Sequence, residues 1–370
     1  MPETHALRRE QLRAAVAASD VDAALITTLV NVRYLTGLAS SNAALLVPAD
    51  GPPVLATDFR YALAAERDCA DVQLLIARPV ETALTELAIG QGMSRLAFEA
   101  QEMTVERHTA LAATDGLTLL VPFGRRVEEL RVVKDEGELS LLGRACAITG
   151  WAFDQVVPRI RAGMTERELA VLVERAMVDG GAERPAFDTI VASGPNGAIP
   201  HHSPGDRPFE PGDMITIDCG ARYGGYHADM TRTIVLGAPA AWQRDIYGLV
   251  AQAQLAGMEA ATDGAEVADV DAAARDLIAA AGHGEHFRHG LGHGVGLEIH
   301  EAPMVAPARP GRLGDRVPIT VEPGIYLPGQ GGVRIEDTLV VRSGAGSPAR
   351  RDLLTTTQTV TPGELLVIEP

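Results

Sequence analysis

Carboxylates and imidazoles set inside apolar, strand-like frames are the residues of this chain that could do chemistry, and three segments carry them. The first runs Met214-Ile215-Thr216-Ile217-Asp218, passes through a turn rich in Gly and Tyr, and returns as Asp229-Met230-Thr231-Arg232-Thr233. Strand alternation places Asp218 on the face of Thr216, and Asp229 on the face of Thr231 and Thr233. Gly220, Gly224 and Gly225 suit a hairpin that brings the two carboxylates together. Two carboxylates on one face repel each other and require a cation or a shared proton.

The second segment is His289-Gly290-Leu291-Gly292-His293-Gly294-Val295-Gly296, followed by Ile299-His300-Glu301. Glycines at alternate positions argue against a helix and for close backbone approach. The HxxxH spacing is therefore not read as a helical zinc pair, HExxH is absent, and the glycines do not form the dinucleotide pattern GxGxxG. The third segment runs Ile319-Thr320-Val321-Glu322-Pro323-Gly324 and then Val333-Arg334-Ile335-Glu336-Asp337, with Arg334 and Glu336 on one face. A glutamate among β-branched residues is not expected to be buried without partners. Four carboxylates and one imidazole make an oxygen-rich site for divalent cations, better matched to Mn²⁺ or Co²⁺ than to a thiolate-bound metal. Bridging carboxylates would place two ions about 3.5–4 Å apart around one water.

Each residue alone has a plainer reading. Asp218 could end a strand, Glu322 could open a turn before Pro323-Gly324, and His300 could be a satisfied surface histidine. Arg334 and Glu336 could be a same-face ion pair, worth little if exposed. Cys219, on the strand face opposite Asp218, reads as a buried thiol, and His283 and His286 read as loop residues. The joint pattern is what favours a metal site.

The elements that must position these residues fall into two parts. Residues 1–130 read as α/β: an amphipathic helix (Leu7, Leu12, Val16), then apolar segments at 23–30, 43–48 and 72–77 punctuated by turns such as Pro48–Pro53. A charged stretch over 124–137 marks the boundary. Beyond it come helices over 138–157 and from Thr165, where Thr165 and Glu168 form a capping box, to Gly180-Gly181. Strands follow at 188–192, 214–219 and 229–236. The order then repeats, with helices over 241–262 and 266–281 and strands near 317–322 and 333–341. Two successive helix-helix-strands units suggest an internal duplication around one antiparallel sheet.

Composition sets bounds. The formal net charge of −17 argues against a nucleic-acid partner, which needs a basic footprint. Three separated cysteines (Cys69, Cys146, Cys219) indicate neither a disulfide framework nor a zinc ribbon. No basic stretch followed by an apolar run opens the chain, and no run of about 20 apolar residues could span a bilayer. A cytoplasmic location without membrane association is expected.

The chain resembles the pita-bread metallopeptidases that cleave Xaa-Pro bonds, the creatinase/aminopeptidase P/prolidase family. The resemblance runs through Asn31–Gly37, Val127–Arg131, Phe187–Gly194, the Asp218/Asp229 hairpin, His289–Pro303 and Thr320–Asp337. It implies a creatinase-like α/β domain over 1–130 and a pita-bread catalytic domain with pseudo-twofold duplication over 131–370. It also implies metal ligands Asp218, Asp229, His293, Glu322 and Glu336 for two divalent ions, Mn²⁺ before Co²⁺, Zn²⁺ or Fe²⁺. His201, 17 residues before Asp218, matches the family's substrate-facing histidine. His289 and His300 match histidines around the substrate carbonyl and the residue after the cleaved bond, and Arg334 the arginine that braces the site. Glu322 would double as proton acceptor, passing the water's proton to the leaving proline nitrogen with His201 assisting. Many relatives carry Gly where this chain has His202, which leaves that residue's role open. The implied substrates are proline-containing peptides, and the implied assembly is a homodimer. A non-peptide amide hydrolase on the same site is the main alternative. Metal-free binding modules and creatinase predict missing ligands, and methionine aminopeptidase usually lacks the N-terminal domain.

Overall fold

The computed structural model describes residues 2–343, 350–360 and 363–369. Internal contacts divide the chain into two units, Met1–Arg131 and Val132–Pro370.

The first unit is built on a mixed six-stranded sheet. Its strands are β1 (Ala23–Ile26), β2 (Ala43–Pro48), β3 (Val54–Thr57), β4 (Gln73–Ile76), β5 (Arg95–Phe98) and β6 (Leu119–Pro122), in the order β4-β3-β2-β1-β5-β6. The runs in β1, β2 and β3 do not alternate, and every residue in them is buried, as expected of strands covered on both faces. Glu99, directly after β5, accepts from the backbone N–H groups of Thr27 and Thr28 (2.7 and 2.8 Å), at the start of the helix Leu29–Thr36.

In the second unit two helices, Glu136–Val156 and Glu166–Asp179, precede β7 (Arg184–Pro185), β8 (Ile190–Ser193), β9 (Met214–Cys219), β10 (Ala221–Tyr223), β11 (Tyr226–His227) and β12 (Met230–Leu236). The expected capping box is present, with Glu168 N donating to Thr165 Oγ1 (3.2 Å) and Thr165 N to Glu168 (2.8 Å). Two further helices, Ala241–Ala260 and Val267–Ala280, precede β13 (Gly292–Gly294), β14 (Glu301–Val305), β15 (Pro318–Val321), β16 (Gly324–Leu327), β17 (Gly331–Arg334) and β18 (Asp337–Arg342). Short strands β19 (Arg350–Leu353) and β20 (Val367–Ile368) follow. The helix-helix-strands order repeats as expected, and each repeat buries a core of its own. Phe153, Leu169, Ile217 and Ile234 belong to the first core, and Val250, Ile278, Ile319 and Leu339 to the second.

The single antiparallel sheet expected from the sequence is instead divided. Strands order as β20-β12-β9-β8 in one sheet and β14-β13-β15-β18-β19 in another. The strand expected over 333–341 breaks at Ile335-Glu336, between β17 and β18. At the break a hydroxyl takes the place of a backbone partner: Thr233 Oγ1 donates to Arg334 O (2.9 Å) and accepts from Arg334 N (3.2 Å). Glu336 N donates to Thr231 O (3.1 Å). This mixed side-chain and backbone stitching along β12 lies at the break in the regular ladder, where the two repeats meet.

Candidate active site

The hairpin expected around Asp218 forms. β9 and β12 pair antiparallel with Asp218 opposite Thr231, so Asp229, two residues before Thr231, shares that face. The turn between β10 and β11 is made by Gly224 (φ 57°) and Gly225 (φ 87°), successive left-handed positions that side chains disfavour.

His293 sits in the middle of β13, between β14 and β15. Its glycine neighbours are required by closeness: a Cβ on Gly292 would lie 2.0 Å from Thr320 O, and one on Gly294 2.2 Å from Ala302 O. The imidazole Nδ1–H donates to Gly294 O (3.0 Å), which leaves Nε2 facing Glu322 (3.3 Å) and Asp229 (3.5 Å). Glu322 follows β15, and Glu336 lies at the break between β17 and β18.

Asp218, Asp229, His293 and Glu336 are buried, and Glu322 is partly exposed. Ligand-type atoms of Asp229, His293 and Glu336 all lie within 4.8 Å of one another. Burial pushes Asp229 well above the usual carboxylate range, and the charge of Asp218 adds to it. Glu336 is raised well above that range in the same way, by burial and then by Asp229, Glu322 and Asp218. Burial also raises Asp218, although Arg334 opposes it. His293 is raised to about 9: burial disfavours its charged form, but Glu322 and Asp229 more than offset that. Glu322 shows the converse, lowered to about 2 because pairing with His293 outweighs its burial. Two buried carboxylate oxygens, Asp218 Oδ1 and Glu336 Oε1, have no hydrogen-bond partner among the described residues. Orphaned anionic oxygens beside an imidazole nitrogen fit a divalent cation, which would satisfy the oxygens and offset the repulsion.

Arg334 braces this cluster. Its guanidinium donates to Asp218 Oδ2 (2.7 Å), Thr231 Oγ1 (3.1 Å), Tyr326 Oη (2.9 Å) and Pro200 O (3.3 Å). Thr231 in turn donates to Glu336 Oε2 (2.7 Å). Tyr326, which the sequence analysis did not single out, lies 2.9 Å from His289 Nε2, while His289 Nδ1 donates to Gly290 O (2.8 Å). Both ring nitrogens of His289 are therefore engaged, and burial lowers its pKa. His201 and His300 differ: both are exposed, and neither ring hydrogen-bonds to any described residue. The His300 ring meets that of His293 edge-on, with centroids 4.4 Å apart.

These side chains line one cleft of about 510 Å³, which holds all five expected ligands together with His201, His289, His300 and Arg334. His202 does not line it. Met304 and the exposed Arg309 form part of the wall, and Arg309 has no ion-pair partner among the described residues. A second support escaped the sequence analysis. On the helix Val267–Ala280, Asp271 accepts from Leu291 N (2.9 Å), and Arg275 donates to Phe287 O (2.8 Å) and His289 O (2.7 Å). The i, i+4 spacing of Asp271 and Arg275 was its one local signal.

Residues 140–343 match metallopeptidase family M24, and residues 8–133 match the creatinase/prolidase N-terminal domain. An Xaa-Pro dipeptidase of Pyrococcus horikoshii is 36% identical over 87% of this chain and 91% of its own length. Among solved structures, an Xaa-Pro dipeptidase from Bacillus anthracis superposes with a TM-score of 0.92 at 34% identity, covering 98% of this chain and 100% of that one. An X-Pro aminopeptidase from Thermotoga maritima gives 0.87 at 34% identity, over 97% and 99%.

Proposed function

The chain belongs to metallopeptidase family M24, and from that premise we propose that it is a dinuclear exopeptidase hydrolysing the bond between an N-terminal residue and a following proline. The observation that carries this reading is the convergence of Asp218, Asp229, His293, Glu322 and Glu336 in one cleft with His201, His289, His300 and Arg334. The division of labour follows the expected domains, 1–130 as a creatinase-like N-terminal domain and 131–370 as the catalytic one. Asp218, Asp229, His293, Glu322 and Glu336 would hold two divalent ions, Mn²⁺ first among the candidates. When bound, the ions supply Lewis acidity and lower the pKa of a water from 15.7 toward ~7.

The side chains account for the rest. Glu322 faces His293 and accepts from Thr320 Oγ1 (3.2 Å), which leaves a partly exposed carboxylate to take up a proton at the cleft floor. His300, whose ring nitrogens bond no described residue, can donate to a carbonyl oxygen as charge builds on it. His201 can hand a proton to the departing proline nitrogen. The free amine of the substrate is attracted to the Asp218/Asp229 side, which favours cleavage at the N-terminal end. Because the nitrogen of an Xaa-Pro bond carries no hydrogen, the cleft needs no acceptor for it. Hydrolysis of Xaa-Pro dipeptides and Xaa-Pro-Yaa tripeptides, measured with and without Mn²⁺, tests the reading. Cleavage of either that depends on both proline and metal supports it, and the ratio of the two rates separates dipeptidase from aminopeptidase. If proline-free amides are cleaved equally well, the substrate assignment fails and the non-peptide alternative takes its place.

A further inference from the structure

His201 makes no hydrogen bond among the described residues, so the segment that carries it must be held in place by its flanks. One side chain does most of this. Glu166, the first residue of the helix Glu166–Asp179, is fully buried and accepts five hydrogen bonds from a stretch of 13 residues, 193–205. Its Oε1 accepts from Ser193 N (2.8 Å), Ser193 Oγ (2.8 Å) and Asn196 Nδ2 (2.9 Å). Its Oε2 accepts from His202 Nε2 (2.8 Å) and Gly205 N (3.1 Å). The donors bracket His201 on both sides. Other anchors act at single points: Arg334 donates to Pro200 O (3.3 Å), Arg207 to Ser193 Oγ (2.8 Å) and Arg167 N to Gly205 O (3.0 Å).

A carboxylate suits this place for two reasons. It is acceptor-only, so one side chain can meet five donors, and the N-terminus of its helix favours negative charge. With its side chain turned toward Glu166, His202 is drawn away from the cleft while the preceding residue, His201, faces into it.

We infer that Glu166 is a positioning residue of the active site: with His202 as one of its donors, it latches residues 193–205 so that His201 is presented to the substrate. The inference rests on the reading of His201 as the proton carrier. It gives His202 a role on the outer side of the loop rather than at the entrance.

The test uses the full-length, Mn²⁺-loaded protein on an Xaa-Pro dipeptide, with E166Q, H202A, H202Q, H201A and the double variant E166Q/H201A. Glutamine keeps the shape of Glu166 but turns one acceptor into a donor. E166Q should lower kcat by roughly 10- to 100-fold, the scale of a misplaced catalytic group, with bound metal unchanged and KM within about twofold. H202A should lower kcat by roughly three- to tenfold, and H202Q, whose amide can still donate to Glu166, should recover most of that loss. In the H201A background E166Q should cost less than about twofold, because the group it positions is gone. An undiminished cost in that background, an E166Q kcat equal to wild type, or an H202Q as slow as H202A would overturn the latch alone. A kcat unaffected by H201A would instead overturn the role of His201 and the latch with it. The H202A and H202Q pair leaves Glu166 in place, so it decides the question even if E166Q does not fold.

Discussion

Loading the metal-free protein with Mn²⁺ should release protons, and their number follows from the charges already in the cleft. His293 is held at about 9 by Glu322 and Asp229 despite its burial, so at pH 7 its ring is almost fully protonated. A ligand imidazole must be neutral. Stripping a proton about two units below its pKa costs about 2.7 kcal/mol at 1.36 kcal/mol per unit, or roughly a hundredfold in apparent affinity. Asp229 and Glu336 are also raised, and each has a proton to give up wherever the pH lies below its shifted value. All three groups act in one direction. Their pKa values in the metal-free fold lie above the unfolded ones, so the stability they contribute is greatest at low pH and is lost as pH rises through the shifted values. Metal binding should strengthen as pH rises, by close to tenfold per unit from His293 alone. The metal-free protein should weaken over the same range, so the gap in Tm between loaded and metal-free forms widens. Isothermal calorimetry at pH 7 in two buffers of different ionisation heat would count the protons, with at least about one per chain expected. Repeats at pH 6.5 and 8.5 would give the slope. An observed heat independent of the buffer, together with an affinity flat across that range, would refute the charge state derived for His293.

Three further outcomes follow from the geometry. Glu336→Gln removes a carboxylate that burial and three like charges push upward: metal retention and turnover should fall by on the order of a hundredfold or more, while the metal-free protein gains Tm at pH 8. A drop in both the loaded and metal-free Tm would count against the repulsion. Gly292→Ala would place a Cβ 2.0 Å from Thr320 O and should cost about 1–3 kcal/mol or more, whereas Gly248→Ala, a helical site with nothing within 4 Å, should gain roughly 0.5–1 kcal/mol. Urea unfolding of the two variants checks the opposite signs. Arg309→Met removes a cation of the cleft wall that has no ion-pair partner among the described residues, and should raise KM for an Xaa-Pro dipeptide about tenfold while changing the tripeptide value less. Equal effects on both substrates would show that Arg309 does not meet a terminal carboxylate.

The residues proposed as ligands, which the structure gathers in one cleft, stand out in the sequence because they break local rules. Asp218 and Glu336 are charges in apolar strand frames, and strand alternation alone is enough to place Asp218 and Asp229 on one face. The alternate glycines around His293 announce a crowded backbone before any neighbour is known. The break that divides the expected sheet was not legible, because it depends on Thr233 meeting Arg334 across 101 residues of chain, and β-branched polar residues are ordinary in strands. Tyr326 was missed for a similar reason: a tyrosine in a strand breaks no rule, and its value lies in reaching both His289 and Arg334. Glu166 shows the limit most clearly. An acidic residue in the first turn, beside the capping box of Thr165 and Glu168, is what helix electrostatics favour on an exposed helix, so nothing in the sequence sets it apart from Glu168. The two differ only in where the helix N-terminus points. Glu168 turns back on its own cap, and Glu166, at 0% exposure, turns inward to donors 27 to 39 residues away. Candidate ligands can be picked out by what a residue does to its own strand. The groups that aim them act through distant backbone, and that becomes visible only once the chain has folded.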